Sequence, residues 1–303
     1  MNKYIFIEPL STMESTHFLN IGNGNFPLLN VLRLITGTSC IKDNSTSKEI
    51  RLKDNFTYIP ITKVNHLSLK KILGNFSDIE LISQTELSNS FTRARGTNRT
   101  FYALIKKELL EAIIAYKKND YIKSFLFLYR LIEAISFTTP LIFLSKNSDY
   151  FKTYNELKEL FSSNDSNVGE LGFFKKFLRT ILKDEDYWSI GATLDFNCIT
   201  NNIERDSCIT IYKKYMTKNK SDQSINGLKS ETSEEIILEV INFHELFMSL
   251  RNRFFHNLKG TIRDNIQANE LFDSNLFFKP IVTQGLNHIS LIIFKLIEKD
   301  LDF

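Results

Sequence analysis

Residues 101–135 read FYALIKKELLEAIIAYKKNDYIKSFLFLYRLIEAI. Leu104, Ile105, Leu109, Ala112, Ile113 and Tyr116 recur at steps of one, three and four, so they stack on one face of a helix over 101–117. The polar pair Asn119-Asp120 ends that helix. A second helix is predicted from Tyr121 to about Phe137. It is apolar nearly all round, through Phe125, Leu126, Leu128, Tyr129, Ile132 and Ile135, as suits the centre of a bundle. After Lys123 its only formal charges are Arg130 and Glu133, three apart and within reach of each other as an ion pair.

The rest of the composition agrees with a helical chain. Gly and Pro number 11 and 5 in 303 residues, well under the roughly 12% of an average sequence, so strong breakers are scarce and long helices are favoured. A chain that is 43% hydrophobic and 24% charged is neither disordered nor fibrous, and its length fits one large domain or two small ones. The expected fold is mainly α: a C-terminal helical bundle over 98–303 preceded by a small mixed α/β region over 1–97.

Charge and cysteine content narrow the function only slightly. A net +3 is too small for a nucleic-acid footprint over the whole molecule. Cys40, Cys198 and Cys208 are odd in number and widely spaced, which argues against a disulfide framework or a cysteine zinc site and for reduced thiols. The opening MNKYIFIEPL has no signal-peptide pattern, and the most apolar window, 124–144, is interrupted by Arg130, Glu133 and Pro140. A buried helix and a cytoplasmic location are expected.

Residues 1–97 hold short apolar runs such as YIFIEPL and LLNVLRLITG, and their histidines, His17 and His66, have no partner pattern. Gly22 and Gly24 lack the rest of a phosphate loop. The region is expected to regulate or recognise rather than catalyse, through a partner or an activating ligand. At its end, FTRARGTNR carries Arg93, Arg95 and Arg99 without an acid. That run reads as a solvated linker, with contact to RNA phosphate as the alternative.

Further helices are expected at 150–160, 172–182 and 280–299, with a polar stretch between 197 and 228 whose KNKSDQSINGLKS portion reads as an exposed loop. The helix expected next starts at Thr232-Ser-Glu-Glu235, which has capping-box spacing, and runs to about Asn257, with Gly260 as terminator. On it Ile236, Val240, Phe243, Phe247, Leu250 and Phe254 form a buried stripe. At about 100° per residue His256 lies nearly opposite the stripe, with Asn252 and Glu245 close to the same direction, and Arg251 flanks it.

The run Leu250-Arg251-Asn252-Arg253-Phe254-Phe255-His256-Asn257 supplies what cleavage of an RNA phosphodiester needs. It has an imidazole to move a proton, a guanidinium for the charge that grows on the phosphorane, and an amide to orient either. RNA brings its own nucleophile, the 2'-hydroxyl. None of the five His stands at a spacing that implies a metal, and no cofactor is expected. On spacing alone a plain reading stands beside this one: Arg and His solvated near a helix C-terminus, where cations are favourable.

Arg251-Asn252-x-x-x-His256, late on a long helix, resembles the signature of the HEPN superfamily: Arg, a polar residue, then four to six residues to His. The preceding pair of helices, with FLFLYRLIEAI at 125–135, resembles the helical hairpin that opens those domains. The resemblance covers roughly 100–303. It implies a homodimer whose two motif helices face each other in a composite site, and a metal-independent endoribonuclease of antiviral defence, abortive-infection or toxin type. By that resemblance Arg251, Asn252 and His256 carry the chemistry, while Arg253 and Asn257 lie outside the signature. CRISPR-associated members carry a larger Rossmann-like sensor domain, and residues 1–97 show no such rhythm. A stand-alone protein is therefore expected. The competing expectation is a non-catalytic helical module that dimerises or docks a partner through the same face.

Overall fold

The computed structural model describes residues 3–7, 26–53, 56, 84–94, 96–146, 149–161, 170–182, 188–189, 191–219, 222–255 and 265–301. Over these the chain is mainly helical, with small antiparallel sheets. Contacts divide it into two compact units. One gathers Met1–Leu110, Phe137–Leu157 and Ser290–Phe303, the other Glu111–Ser136 and Lys158–Ile289.

In the first unit β1 (Tyr4–Phe6), β2 (Ser39–Asp43) and β3 (Glu49–Leu52) pair in chain order, with Ile5 opposite Lys42 and Ile41 opposite Ile50. Between β1 and β2 in sequence lies α1 (Pro27–Ile35), every residue of which from Leu28 to Ile35 is buried. Proline opens it where a backbone N–H has no helical partner to lose. Helix α2 (Gln84–Ala94) carries Arg93 in its last turn, and Arg99 opens α3 (Arg99–Lys117). In its described residues the expected linker is thus corrected to a helix end, a short turn and a helix start. Asn98, at φ 51°, sits in that turn and donates from its amide to the buried Asp300 carboxylate at 3.3 Å. Lys146 pairs with the same carboxylate at 3.9 Å.

Helix α4 (Tyr121–Ser145) runs past the expected end at Phe137 and straight through Pro140. It is also less enclosed than its apolar surface implied. Its exposed positions, Lys123, Leu126, Arg130, Glu133, Phe137, Leu141 and Ser145, follow at steps of three and four along one face. Helix α5 (Tyr150–Phe161) follows.

In the second unit lie α6 (Glu170–Leu182) and β4 (Ala192–Asp195), then α7 (Asn202–Met216) and the hairpin β5 (Thr217–Asn219) and β6 (Asp222–Ile225). The portion KNKSDQSINGLKS, expected as an exposed loop, is thus corrected in its described residues to strand and turn, and the polar stretch before it holds a helix. Cys208, Ile209, Ile211, Tyr212 and Met216 of α7 are buried, and the Tyr212 hydroxyl donates to the Phe277 carbonyl at 2.9 Å.

A second correction concerns Thr232. Its hydroxyl does accept from the N–H groups of Glu234 and Glu235, at 3.2 and 3.0 Å. The chain that follows is a strand, β8 (Glu235–Leu238), set between β4 and β7 (Leu228–Glu231). A Ser/Thr turn makes the same local hydrogen bonds as a helix cap. The alternating burial of Glu235, Ile236, Ile237 and Leu238, with Ile236 and Leu238 inward, decides for the strand. The helix, α8, spans Val240–Phe255.

The short α9 (Ser274–Phe277) is capped by Asp273, whose carboxylate accepts from Asn275 and Leu276 N–H. It leads into α10 (Lys279–Asp300). The stretches Tyr121–Ser145 and Ser274–Asp300 are long and apolar enough to cross a membrane. Their most apolar windows are 56% and 83% buried within the protein, as in core helices.

Candidate functional site

An aromatic cluster fixes α8. The Phe125 ring lies 4.5 Å from Phe247 and 4.7 Å from Phe278, between centroids, and Phe254 meets Phe278 at 4.7 Å. Helix α10 comes close to the same ring, for a Cβ built on Gly285 would stand 2.8 Å from Cε2 of Phe247. With Phe247 and Leu250 buried, the next residue, Arg251, emerges beside α4.

There its guanidinium lies over the Tyr129 ring, 4.1 Å from the centroid. One terminal nitrogen donates to Asn252 Oδ1 at 2.9 Å, and the other is 3.8 Å from Glu133 Oε1. Burial first, then a hydrogen bond to Glu133, push the Tyr129 phenol up to about 12, while the Arg251 charge opposes both. Tyr129 therefore stays neutral at any physiological pH. The arginine is mostly covered and its carboxylate partner half exposed, with side-chain accessibilities of 22% and 48%.

Of the residues singled out by sequence, Arg251 and Asn252 come together. His256 and Asn257 lie outside the described residues, as do Arg95, His17, His66, Gly22, Gly24 and Gly260. Arg93 and Arg99 are both exposed, and Arg93 donates to Ser90 Oγ at 3.0 Å. Arg253 donates to Ser249 Oγ at 3.1 Å and lies over the Tyr215 ring at 4.8 Å. Arg130, the partner expected for Glu133, lies over the Phe127 ring at 5.6 Å, and Glu133 reaches Arg251 instead.

Two features were not anticipated. Tyr129 and Glu133 hold Arg251, and their spacing of four on α4 is the only local sign of it, because the contact itself is between distant segments. The second is a buried imidazole pair. His244 Nδ1 on α8 and His288 Nε2 on α10 are 3.4 Å apart, with Phe174 edge-on to His244 and Phe243 edge-on to His288. Burial, aided by the Lys175 charge, lowers His244 to about 4. Burial and His244 lower His288 well below the usual histidine value. Lys175 itself pairs with Glu245, the neighbour of His244.

The chemical capacity of the site is to receive an anion. Arg251 has five N–H donors, one of them spent on Asn252 and none at direct hydrogen-bond distance from Glu133. Compared with protein-family models, with curated proteins and with solved structures, the chain matches none of them.

Proposed function

We propose that the protein is a HEPN-like endoribonuclease that cuts RNA by attack of the 2'-hydroxyl on the adjacent phosphorus, without a metal, in antiviral defence or abortive infection in the cytoplasm. The observation that carries the reading is the guanidinium of Arg251. It is stacked, steered by Asn252 and left with free donors, five residues before His256 in the sequence. Arg251 stabilises the charge of the phosphorane, and His256 moves a proton to or from the reacting oxygens. Asn252 keeps the guanidinium in its plane. Because one chain supplies one imidazole and cleavage wants both an acid and a base, the active form is a homodimer.

The test is incubation of the purified chain with total RNA in excess chelator, beside His256→Ala. Cleavage by the unaltered chain alone, leaving 2',3'-cyclic phosphate and 5'-hydroxyl ends, is the expected result. Products with 3'-hydroxyl ends, or an absolute need for Mg²⁺, refute the mechanism. Absence of any cut favours the docking-module alternative.

A further inference from the structure

We infer that Tyr129 and Glu133 are positioning residues for Arg251. Their consequence for cleavage rests on the ribonuclease reading above, whereas the geometry stands without it. A free arginine side chain samples many rotamers, and a guanidinium acts on a developing phosphorane only from a fixed plane and direction. Here each element of that fixing has a separate source.

The Tyr129 ring, 4.1 Å from the guanidinium carbon, sets the plane by stacking. Tyr129 is 4% exposed and sits on α4, so the platform is part of the core. Asn252 holds one terminal nitrogen at 2.9 Å. Glu133, at 3.8 Å, draws the other by charge without taking an N–H in a direct hydrogen bond. Tyr129 and Glu133 stand four apart on α4, one helical turn, so the ring and the carboxylate reach the same guanidinium from one helix. One helix thus supports the arginine twice, through the ring of Tyr129 and through the carboxylate of Glu133.

This arrangement differs from an ordinary surface ion pair. Such a pair occupies the donors of its arginine, whereas this one orients them and leaves most of them over for phosphate oxygens. Removing the charge at Glu133 should therefore leave RNA binding unchanged or tighter, since a competing anion is gone, while the transition state loses a well-aimed cation.

The test uses the full chain with ¹⁵N/¹³C-labelled arginine, and the variants Glu133→Gln, which is nearly isosteric, and Tyr129→Leu, which removes the ring. In the unaltered protein the Arg251 Nε–H signal, assigned with Arg251→Lys, should show the upfield ring-current shift of a stacked guanidinium. Both variants should move it toward the values of exposed arginines. In cleavage assays Glu133→Gln should lower kcat by about tenfold with KM equal or lower and the pH profile unchanged in shape. A merely structural role lowers the melting temperature but leaves kcat per folded molecule alone. An Arg251 signal identical in all three proteins, or an unaltered kcat in Glu133→Gln, overturns the inference. If the unaltered chain cuts no RNA, the ribonuclease reading falls while the arginine signal still decides whether the two residues position Arg251.

Discussion

In the proposed reaction Arg251 serves a phosphate only while its donors face outward, and its truncation separates chemistry from stability. Its ring contact with Tyr129 and its half-exposed pairing with Glu133 together are worth about 1 kcal/mol of stability. Arg251→Ala is accordingly expected to lower cleavage by at least about a hundredfold, with a loss of stability on the order of 1 kcal/mol. His256→Ala should match it in rate, and Asn252→Ala should cost less, because Asn252 acts through the arginine. Single-turnover rates beside thermal melts check the three. The buried pair His244–His288 gives a different signature. A histidine whose value in the folded protein lies below 6.5 resists the proton that the unfolded chain accepts, so acid favours unfolding. Stability is full above pH 6.5 and falls as pH drops from there toward about 4. The slope is about 1.4 kcal/mol per pH unit for each imidazole involved. Of the charges nearby, Lys175 opposes protonation of His244. Urea melts at pH 7.5, 6.0 and 5.0 should show the decline, and His244→Phe should flatten it. Equal slopes in the two proteins would show that the pair is not its source.

The helices over 101–117, 121–137, 150–160, 172–182 and 280–299 were readable because each repeats its apolar residues over several turns, a signal that needs no partner. What failed was local chemistry with two outcomes. Thr232 binds the same N–H groups before a strand as before a helix, and only β4, some forty residues earlier, decides between them. In α7 the buried residues crowd the second half, so the polar first half hid the period. At the site, Arg251 and Asn252 were readable as a motif, but Tyr129 and Glu133 were not, since a contact between α4 and α8 leaves no mark on either sequence alone. Gly285 tests how tightly α10 meets α8. Replacing a mid-helix glycine with alanine normally gains about 1 kcal/mol. Here the new Cβ meets Phe247, itself 1% exposed and wedged against Phe125 and Phe243, so the ring has no open side. Overpacking of about 1–3 kcal/mol exceeds the gain. Gly285→Ala should lower the melting temperature, and a rise would mean that the ring yields.

The change of pattern near residue 97 reports what each segment is made of, whereas the contacts group the chain otherwise. Met1–Leu110 joins Phe137–Leu157 and Ser290–Phe303 in one unit, a long-range property that periodicity does not carry. Assembly is of the same kind, and it is where the proposed function makes its largest demand. One imidazole and one guanidinium per chain leave the reaction short of a second proton-transfer group, and a two-fold axis is the simplest way to supply it. Near Arg251 the second unit leaves apolar area open to water: Leu126 is 42% exposed and Phe255 37%. Covering such side chains by a second copy would stabilise an assembly in proportion to the area removed from water. A homodimer at micromolar concentration is the expected result of light scattering on the purified chain. Specific activity should then fall on dilution, as chains separate and each loses its second imidazole. Leu126→Lys places a charge on that surface without disturbing the core, and should yield a folded chain with weaker association and lower activity at the same concentration. A strictly monomeric protein whose activity per chain is unchanged on dilution contradicts the composite site, and leaves a group of the same chain to act as the second acid or base.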